Sequence, residues 1–244
     1  MTGGWIPLRG AIKRSSRTLL PPSVLAVALV GTVVAQAQVP QWQPAPDEES
    51  PAVQALIDSA RKAFADGQSA SSVLADAAYD DARSYPRFRA LIRSHAPVGE
   101  ITMVSPGEPG ERLTLTFRLG KPGQTIYAYQ TDARGAYGKD GVHIQANSGD
   151  FKYARLFAYV RTGADGAATL HTIRPVGYPQ GELPQHVHFH VEPTPATADE
   201  IWFSDDPRLT PAMRGRGKGE ALIVTPTKGD HGWVAAADVT LHVR

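Results

Sequence analysis

The stretch Gln185-His186-Val187-His188-Phe189-His190-Val191 alternates polar and apolar residues without a fault. On an extended strand, side chains at i and i+2 point the same way, about 6.6–7 Å apart. His186, His188 and His190 therefore share one face, and Val187, Phe189 and Val191 share the other. The apolar face belongs to a core. The opposite face offers imidazoles in line. Two of them can converge on one metal ion, with the third behind the site or beyond it. Three histidines in register favour a metal over ordinary half-buried polar residues. The spacing does not name the ion, because zinc, copper and iron all accept imidazole. There is no H-E-x-x-H, and no carboxylate stands at an obvious facial-triad spacing. Two tyrosines narrow the choice. Tyr178 lies between Gly177 and Pro179 in the loop before His186. Tyr137 ends a second loop that begins at Asp132 and contains Gly135. A phenol ionises near pH 10 and seldom binds a divalent ion, whereas a hard trivalent cation favours the phenolate. Two phenolates and two neutral imidazoles leave one net positive charge on Fe(III). Either tyrosine alone reads as a core or turn residue. Together with H-x-H they point to Fe(III).

These groups need a scaffold, and from Val98 onward the pattern has period two. Leu113, Leu115, Phe117 and Leu119 alternate with Thr114, Thr116 and Arg118, which predicts a half-buried strand. Further strands are predicted over Thr125–Thr131, Tyr153–Arg161, Ala168–Ile173, Gln185–Val191, Ile201–Phe203, Ala221–Val224 and Asp238–Val243. A turn at Thr162–Gly166 joins two of them. About eight short strands, with 23 glycines and 20 prolines to break them, predict a mainly β protein built as a β-sandwich. Residues 50–97 read differently, as an N-terminal helical segment. Ser50 caps a first helix and Pro51 fits its first turn. Val53, Leu56, Ile57, Ala60 and Phe64 share one face, and Gly67 ends the helix. Two more helices are predicted over Ser72–Arg83 and Pro86–Ser94. Their expected role is packing against the main domain, residues 98–244.

Three strings in order carry a resemblance. They are Tyr129-Gln-Thr-Asp-Ala-Arg-Gly-Ala-Tyr137, Thr172-Ile-Arg-Pro-Val-Gly-Tyr178-Pro and Pro184-Gln-His186-Val-His188-Phe189. Together, over roughly residues 98–210, they resemble the intradiol ring-cleavage dioxygenases, which include catechol 1,2-dioxygenases and protocatechuate 3,4-dioxygenases. The resemblance implies a β-sandwich with a mononuclear non-haem Fe(III) held by Tyr137, Tyr178, His186 and His188, with His190 outside the ligand set. It implies a catechol-type aromatic substrate and O2, cleavage between the hydroxylated carbons and a muconate-type diacid product. Tyr178 resembles the tyrosine that leaves the iron when substrate binds and then serves as base. Two positions depart from the family pattern. Leu183 stands three residues before the first ligand histidine, where ring-cleaving members usually carry arginine. Glu200 stands where they usually carry glutamine. Arg155 and Arg174 are the arginines offered in place of the missing one, to meet the negative charge of a bound catecholate.

The first residues read as a leader rather than as fold. Arg9, Lys13, Arg14 and Arg17 precede the apolar run Val24–Val34, and Ala35-Gln36-Ala37 follows. A basic start, a short apolar stretch and a small-x-small site describe a secretory signal peptide over residues 1–37. Residues 38–49 then form a linker. The apolar run is short for a membrane span, so no stable span is expected after cleavage. Export to the periplasm or the medium follows. Loss of those four basic residues leaves 21 basic against 24 acidic residues, a net charge of −3. The run Arg214-Gly-Arg216-Gly-Lys218 reads as a solvated loop, and no nucleic-acid partner is expected. The absence of cysteine excludes disulfides, thiolate metal sites and cysteine nucleophiles. A homo-oligomer stays open. Two other readings stand beside the dioxygenase. One is a non-catalytic or differently catalytic metal-binding sandwich. The other is a binding module using aromatic rows Tyr127/Tyr129 and Tyr153/Tyr159, positions that more often serve cross-strand packing.

Overall fold

The computed structural model describes residues 49–138, 154–178, 183–216 and 221–242. The expected signal peptide and nearly all of the linker lie outside the described residues, as does Tyr153. Among the described residues, ten strands form two five-stranded sheets. The strands are β1 (Glu100–Thr102), β2 (Arg112–Arg118), β3 (Thr125–Gln130), β4 (Leu156–Arg161), β5 (Ala167–Ile173), β6 (His186–Glu192), β7 (Glu200–Phe203), β8 (Ala221–Val224), β9 (Thr227–Gly229) and β10 (Gly232–Asp238). One sheet has the order β1-β5-β2-β10-β9 and the other β4-β3-β6-β7-β8. The sheets meet through the apolar faces read from the sequence. Leu113, Leu115 and Phe117 of β2 are buried, as are Val187, Phe189 and Val191 of β6. Phe117 and Phe189 touch across the interface with ring centroids 5.4 Å apart. Burying one such ring is worth about 1.5–3 kcal/mol. The core thus fixes which face of β6 points away from it, and that face carries the histidines.

Antiparallel pairing then sets the neighbours of each histidine. On one side β3 places Tyr129 opposite His188 and Tyr127 opposite His190. On the other side β7 places Trp202 opposite His186 and Glu200 opposite His188.

Helix α1 (Pro51–Ala65) starts as expected. The Ser50 hydroxyl accepts the Val53 amide at 3.2 Å, and Val53, Ile57, Ala60 and Phe64 are buried. The single helix expected over Ser72–Arg83 is instead α2 (Ala70–Ala75) followed by a 3₁₀ turn, Ala77–Tyr79. Asp76 breaks it: its backbone is extended and its carboxylate caps the next turn at Ala78 N. A short polar side chain that bonds its own backbone competes with helix. Helix α3 (Pro86–Ser94) keeps the expected bounds. It inserts the buried Arg89 into the second sheet, where the guanidinium donates to Ala154 O at 3.1 Å and to the Tyr127 hydroxyl. It also lies 3.8 Å from the Phe157 ring centroid. The helices therefore pack on the sandwich, as expected.

Three strand expectations are corrected. β1 and β9 went unread because three residues carry too little alternation to register. The last strand runs over Gly232–Asp238, ending where the expected strand Asp238–Val243 begins. Its alternate residues Ala235 and Ala237 are buried, and alanines give a weak period-two signal. Beyond it, Leu241 makes only an isolated bridge to Ala196. The basic run is not wholly loop either, since α4 spans Pro211–Arg216. Among the described residues, no helix is long and apolar enough to cross a membrane.

Candidate metal centre

Tyr137 is delivered by a closed turn after β3. The Asp132 carboxylate accepts the amides of Arg134 at 2.8 Å and Ala136 at 3.1 Å, and Asp132 N donates to Ala136 O at 2.8 Å. Gly135 carries the positive φ of +77° that this reversal requires. The loop is then anchored outward, because Tyr137 O accepts the Arg155 amide at 2.7 Å. Tyr178 is delivered by the segment after β5. The Thr131 hydroxyl donates to Val176 O at 2.6 Å, tying the two tyrosine loops together. Arg208 reaches over Gly177 and donates to Tyr178 O at 3.3 Å. Any side chain at position 177 would press into that guanidinium.

His186 begins β6. Its position is held by the buried Asp206, whose carboxylate accepts the Gln185 amide at 2.6 Å and the Arg208 amide at 2.8 Å. His186 Nδ1 lies 2.7 Å from Pro184 O and so carries the proton. Its Nε2 is left as an acceptor, 3.2 Å from the Tyr178 hydroxyl. The hydroxyls of Tyr178 and Tyr137 are 2.8 Å apart. His188 meets His186 edge-on, with centroids 4.6 Å apart, and stacks on Tyr129 at 4.6 Å and 4°. The structure brings Tyr137, Tyr178, His186 and His188 together. His190 lies further along the strand, with its ring 6.2 Å from that of Tyr127.

The spacing tests whether this set suits a metal ion. Two donors about 2.0–2.2 Å from one ion and at right angles lie roughly 3 Å apart. The 2.8 Å and 3.2 Å separations match that edge length. The electrostatics of the two phenols are dominated by burial. Burial, and then the neighbouring Tyr178, push the Tyr137 phenol well above its usual ionisation. Burial raises Tyr178 too, against the opposing effect of its hydrogen bond to Tyr137. Burial, then His186 and His190, hold His188 well below the usual imidazole range, which favours the neutral ring. The donors fit Fe(III), whose charge offsets the cost of two buried phenolates.

One member of the site was not legible as a ligand from spacing. His186, His188 and Glu200 bring one ligand atom each within 4.8 Å of one another. No carboxylate stands at an obvious facial-triad spacing in the sequence, yet the fold sets Glu200, already a candidate site residue, beside the histidines. β7 pairs with β6, and that register sets Glu200 beside His188 across a gap of twelve residues in sequence. Glu200 Oε1 lies 3.5 Å from His188 Nδ1, and Oε2 accepts the Trp202 indole N–H at 2.6 Å.

The two arginines offered for substrate charge are both paired with carboxylates of the fold. Arg155 is buried and makes two contacts to Glu108, at 2.8 and 2.5 Å, with Asp132 and Asp80 close by. Its charged form is held against the cost of burial by Glu108 and those carboxylates. Arg174 donates to Gln185 at 2.8 Å and to Asp205 at 2.9 and 2.5 Å, and its guanidinium lies 4.4 Å from the Trp233 centroid. Leu183 is partly exposed at 37%. The aromatic row Tyr127/Tyr129 is not a surface row, since both residues are buried.

No family model matches the chain, and no curated protein matches it. It is similar to several solved structures. One is the dioxygenase domain of a dioxygenase carbohydrate-binding protein fusion from the cellulolytic bacterium Streptomyces sp. SirexAA-E. The identity is 22% and the TM-score 0.44, over 61% of this chain and 90% of that one. A second is catechol 1,2-dioxygenase from Pseudomonas arvilla C-1, at 20% identity and TM-score 0.44, over 60% of this chain and 57% of that one. A third is an intradiol ring-cleavage dioxygenase from Tetranychus urticae, at 16% identity and TM-score 0.44, over 60% and 87%. The chain thus spans little more than half the length of the Pseudomonas enzyme.

Proposed function

We propose that this protein is a non-haem Fe(III) intradiol dioxygenase that cleaves a catechol with O2 to a muconate-type diacid. The observation that carries the reading is the convergence of two phenols on two imidazoles, Tyr137 to Tyr178 at 2.8 Å and Tyr178 to His186 at 3.2 Å. The iron would be held by Tyr137, Tyr178, His186 and His188. When bound, it supplies the Lewis acidity that draws a catecholate's electrons and opens its ring to dioxygen. The protein's own groups divide the remaining work. Tyr137 is buried and braced by Arg155 N, so it stays in place as an anionic donor. Tyr178 is only part-buried and sits on a loop, so its oxygen can leave and hold a proton taken from a catechol hydroxyl. His186 is fixed by Pro184 O and His188 stays neutral, and the buried rings of Tyr129 and Tyr137 beside them keep water away. The overall balance is catechol plus O2 to a diacid, with no external reductant. The leader-like sequence at residues 1–37 supports an exported protein.

A second reading is favoured by one observation, the carboxylate of Glu200 beside the histidines. In it a divalent ion is held by His186, His188 and Glu200 while both phenols stay protonated, and the protein has another activity or none. Metal content and the visible spectrum, before and after catechol, decide between the two. Stoichiometric iron with a broad tyrosinate-to-Fe(III) band, shifted to longer wavelength by catechol and followed by a ring-opened product, is the expected result. A colourless protein holding zinc, or no metal after iron reconstitution, overturns the first reading.

A further inference from the structure

Arg89 of helix α3 is buried, and its guanidinium touches two structures that lead to the metal centre by separate routes. Nη1 donates to Ala154 O at 3.1 Å. Nη2 donates to the Tyr127 hydroxyl, and Arg89 hydrogen-bonds the Tyr159 hydroxyl as well. The guanidinium rests on the Phe157 ring, 3.8 Å from its centroid. A planar guanidinium presents its donors in a fixed fork, so it sets the spacing of its acceptors. The rotating ammonium of a lysine does not.

Both routes end at proposed metal ligands. Tyr127 and Tyr129 share one face of β3, with rings 5.4 Å apart and 19° from parallel. Tyr129 in turn stacks on His188 at 4.6 Å and 4°. Fixing the Tyr127 hydroxyl therefore fixes the first ring of a stack whose last ring is a ligand. The other route runs along the backbone. Ala154 precedes Arg155, whose amide donates to Tyr137 O at 2.7 Å.

We infer that Arg89 is a positioning residue for the metal centre, seating the Tyr127–Tyr129–His188 stack with one arm and the backbone behind Tyr137 with the other. A metal site needs its donors held to within about 0.5 Å and 10–20° of the productive geometry. A stack or a strand end free to slide by that much does not deliver it. The N-terminal helical segment thereby takes part in building the site and is not packing alone. The inference rests on the assignment of His188 and Tyr137 as ligands under the proposed function, and it adds no ligand of its own.

The test reads the stack without metal and the site with it. In the metal-free mature protein, the Tyr129 ring shields the His188 ring protons, so their NMR shifts report the stack. Arg89→Met keeps the apolar stem and loses the fork, and it is expected to move those shifts toward unstacked values. Unchanged shifts overturn the inference. Zn(II) is then titrated into the variants. Arg89→Met and Arg89→Lys are each expected to weaken binding by about tenfold. Phe88→Leu is the control for packing, because Phe88 is buried on the same helix and meets Tyr79 with ring centroids 5.8 Å apart, and neither residue lies on the two routes. It is expected to lower the unfolding temperature and leave zinc affinity unchanged. An equal loss of affinity in Phe88→Leu would make the effect one of helix packing and overturn the positioning role, as would full affinity in Arg89→Met. If Arg89→Met does not fold, Tyr127→Phe removes one acceptor and keeps the ring. It is expected to move the His188 shifts in the same direction, and unchanged shifts there overturn the inference too. The shifts can stay still while iron binds as proposed, and a protein that takes zinc but never iron can still pass both arms, so the inference and the iron reading fail separately.

Discussion

Arg155 and Tyr137 are joined back to back: the Arg155 amide donates to Tyr137 O at 2.7 Å, while its guanidinium grips Glu108 at 2.8 and 2.5 Å. The loop that carries the Tyr137 phenol is thus bolted to a buried ion pair. The guanidinium is engaged by Glu108 in that support. Glu108→Ala leaves Arg155 buried without its two-point partner, at a cost of about 3–5 kcal/mol. Urea denaturation of the metal-free protein should show a loss of that size. A loss below about 1 kcal/mol would mean that Arg155 readily finds another partner, and a role near bound substrate would regain weight.

The sandwich was legible because β2 and β6 are strict alternators whose apolar sets have only one place to go. The histidine face followed from the same pattern, since burying Val187, Phe189 and Val191 turns His186, His188 and His190 the other way. Glu200 beside His188 was not legible, because it depends on the β6–β7 register, which no local pattern encodes. The fate of Arg155 and Arg174 was hidden for a similar reason. Their partners Glu108 and Asp205 are set by loops whose course is decided in three dimensions. The break at Asp76 did have a signal: an aspartate two residues before a potential amide partner is a turn former. The helical period around it outweighed that signal.

The ligand assignment predicts an uneven response to substitution. Tyr137→Phe removes a phenol donor from a buried site, and His186→Ala and His188→Ala each remove an imidazole. All three are expected to lose iron on gel filtration. His190→Ala should keep most of it, because that imidazole packs near Tyr127 and is not part of the close group. Iron content per chain is the measurement. An empty site in His190→Ala would show that the wrong pair of histidines had been assigned.

Asp206 ties the two sides of the site. It accepts the amide of Gln185, next to His186, and that of Arg208, whose side chain reaches Tyr178 O. Asp206→Ala leaves the Gln185 and Arg208 amides without their acceptor, a cost of about 1–3 kcal/mol. The same change should weaken metal binding, because both Tyr178 and the start of β6 lose their brace. Thermal unfolding and zinc titration on one sample separate the two effects. A variant that loses stability but binds zinc as the wild type does would limit Asp206 to a structural role.

Acid should destabilise the metal-free protein earlier than its carboxylates alone require. His188 is held well below the usual imidazole value of about 6.5, mainly by burial and then by His186 and His190. His190 is lowered too, first by burial, with Asp199 and Glu192 opposing. A depressed histidine stays neutral in the fold while the unfolded chain takes up a proton below pH 6.5. The unfolded state then binds more protons, so stability rises with pH in this window and falls as pH drops through it. His188 alone can contribute up to about 1.4 kcal/mol per pH unit there. Above pH 6.5 both states are neutral at this residue and its contribution is flat. Urea midpoints at pH 7.5, 6.5 and 5.5 should show a plateau followed by a fall, and His188→Phe should flatten the fall. A midpoint independent of pH from 7.5 to 5.5 would mean that His188 ionises as readily in the fold as in the unfolded chain.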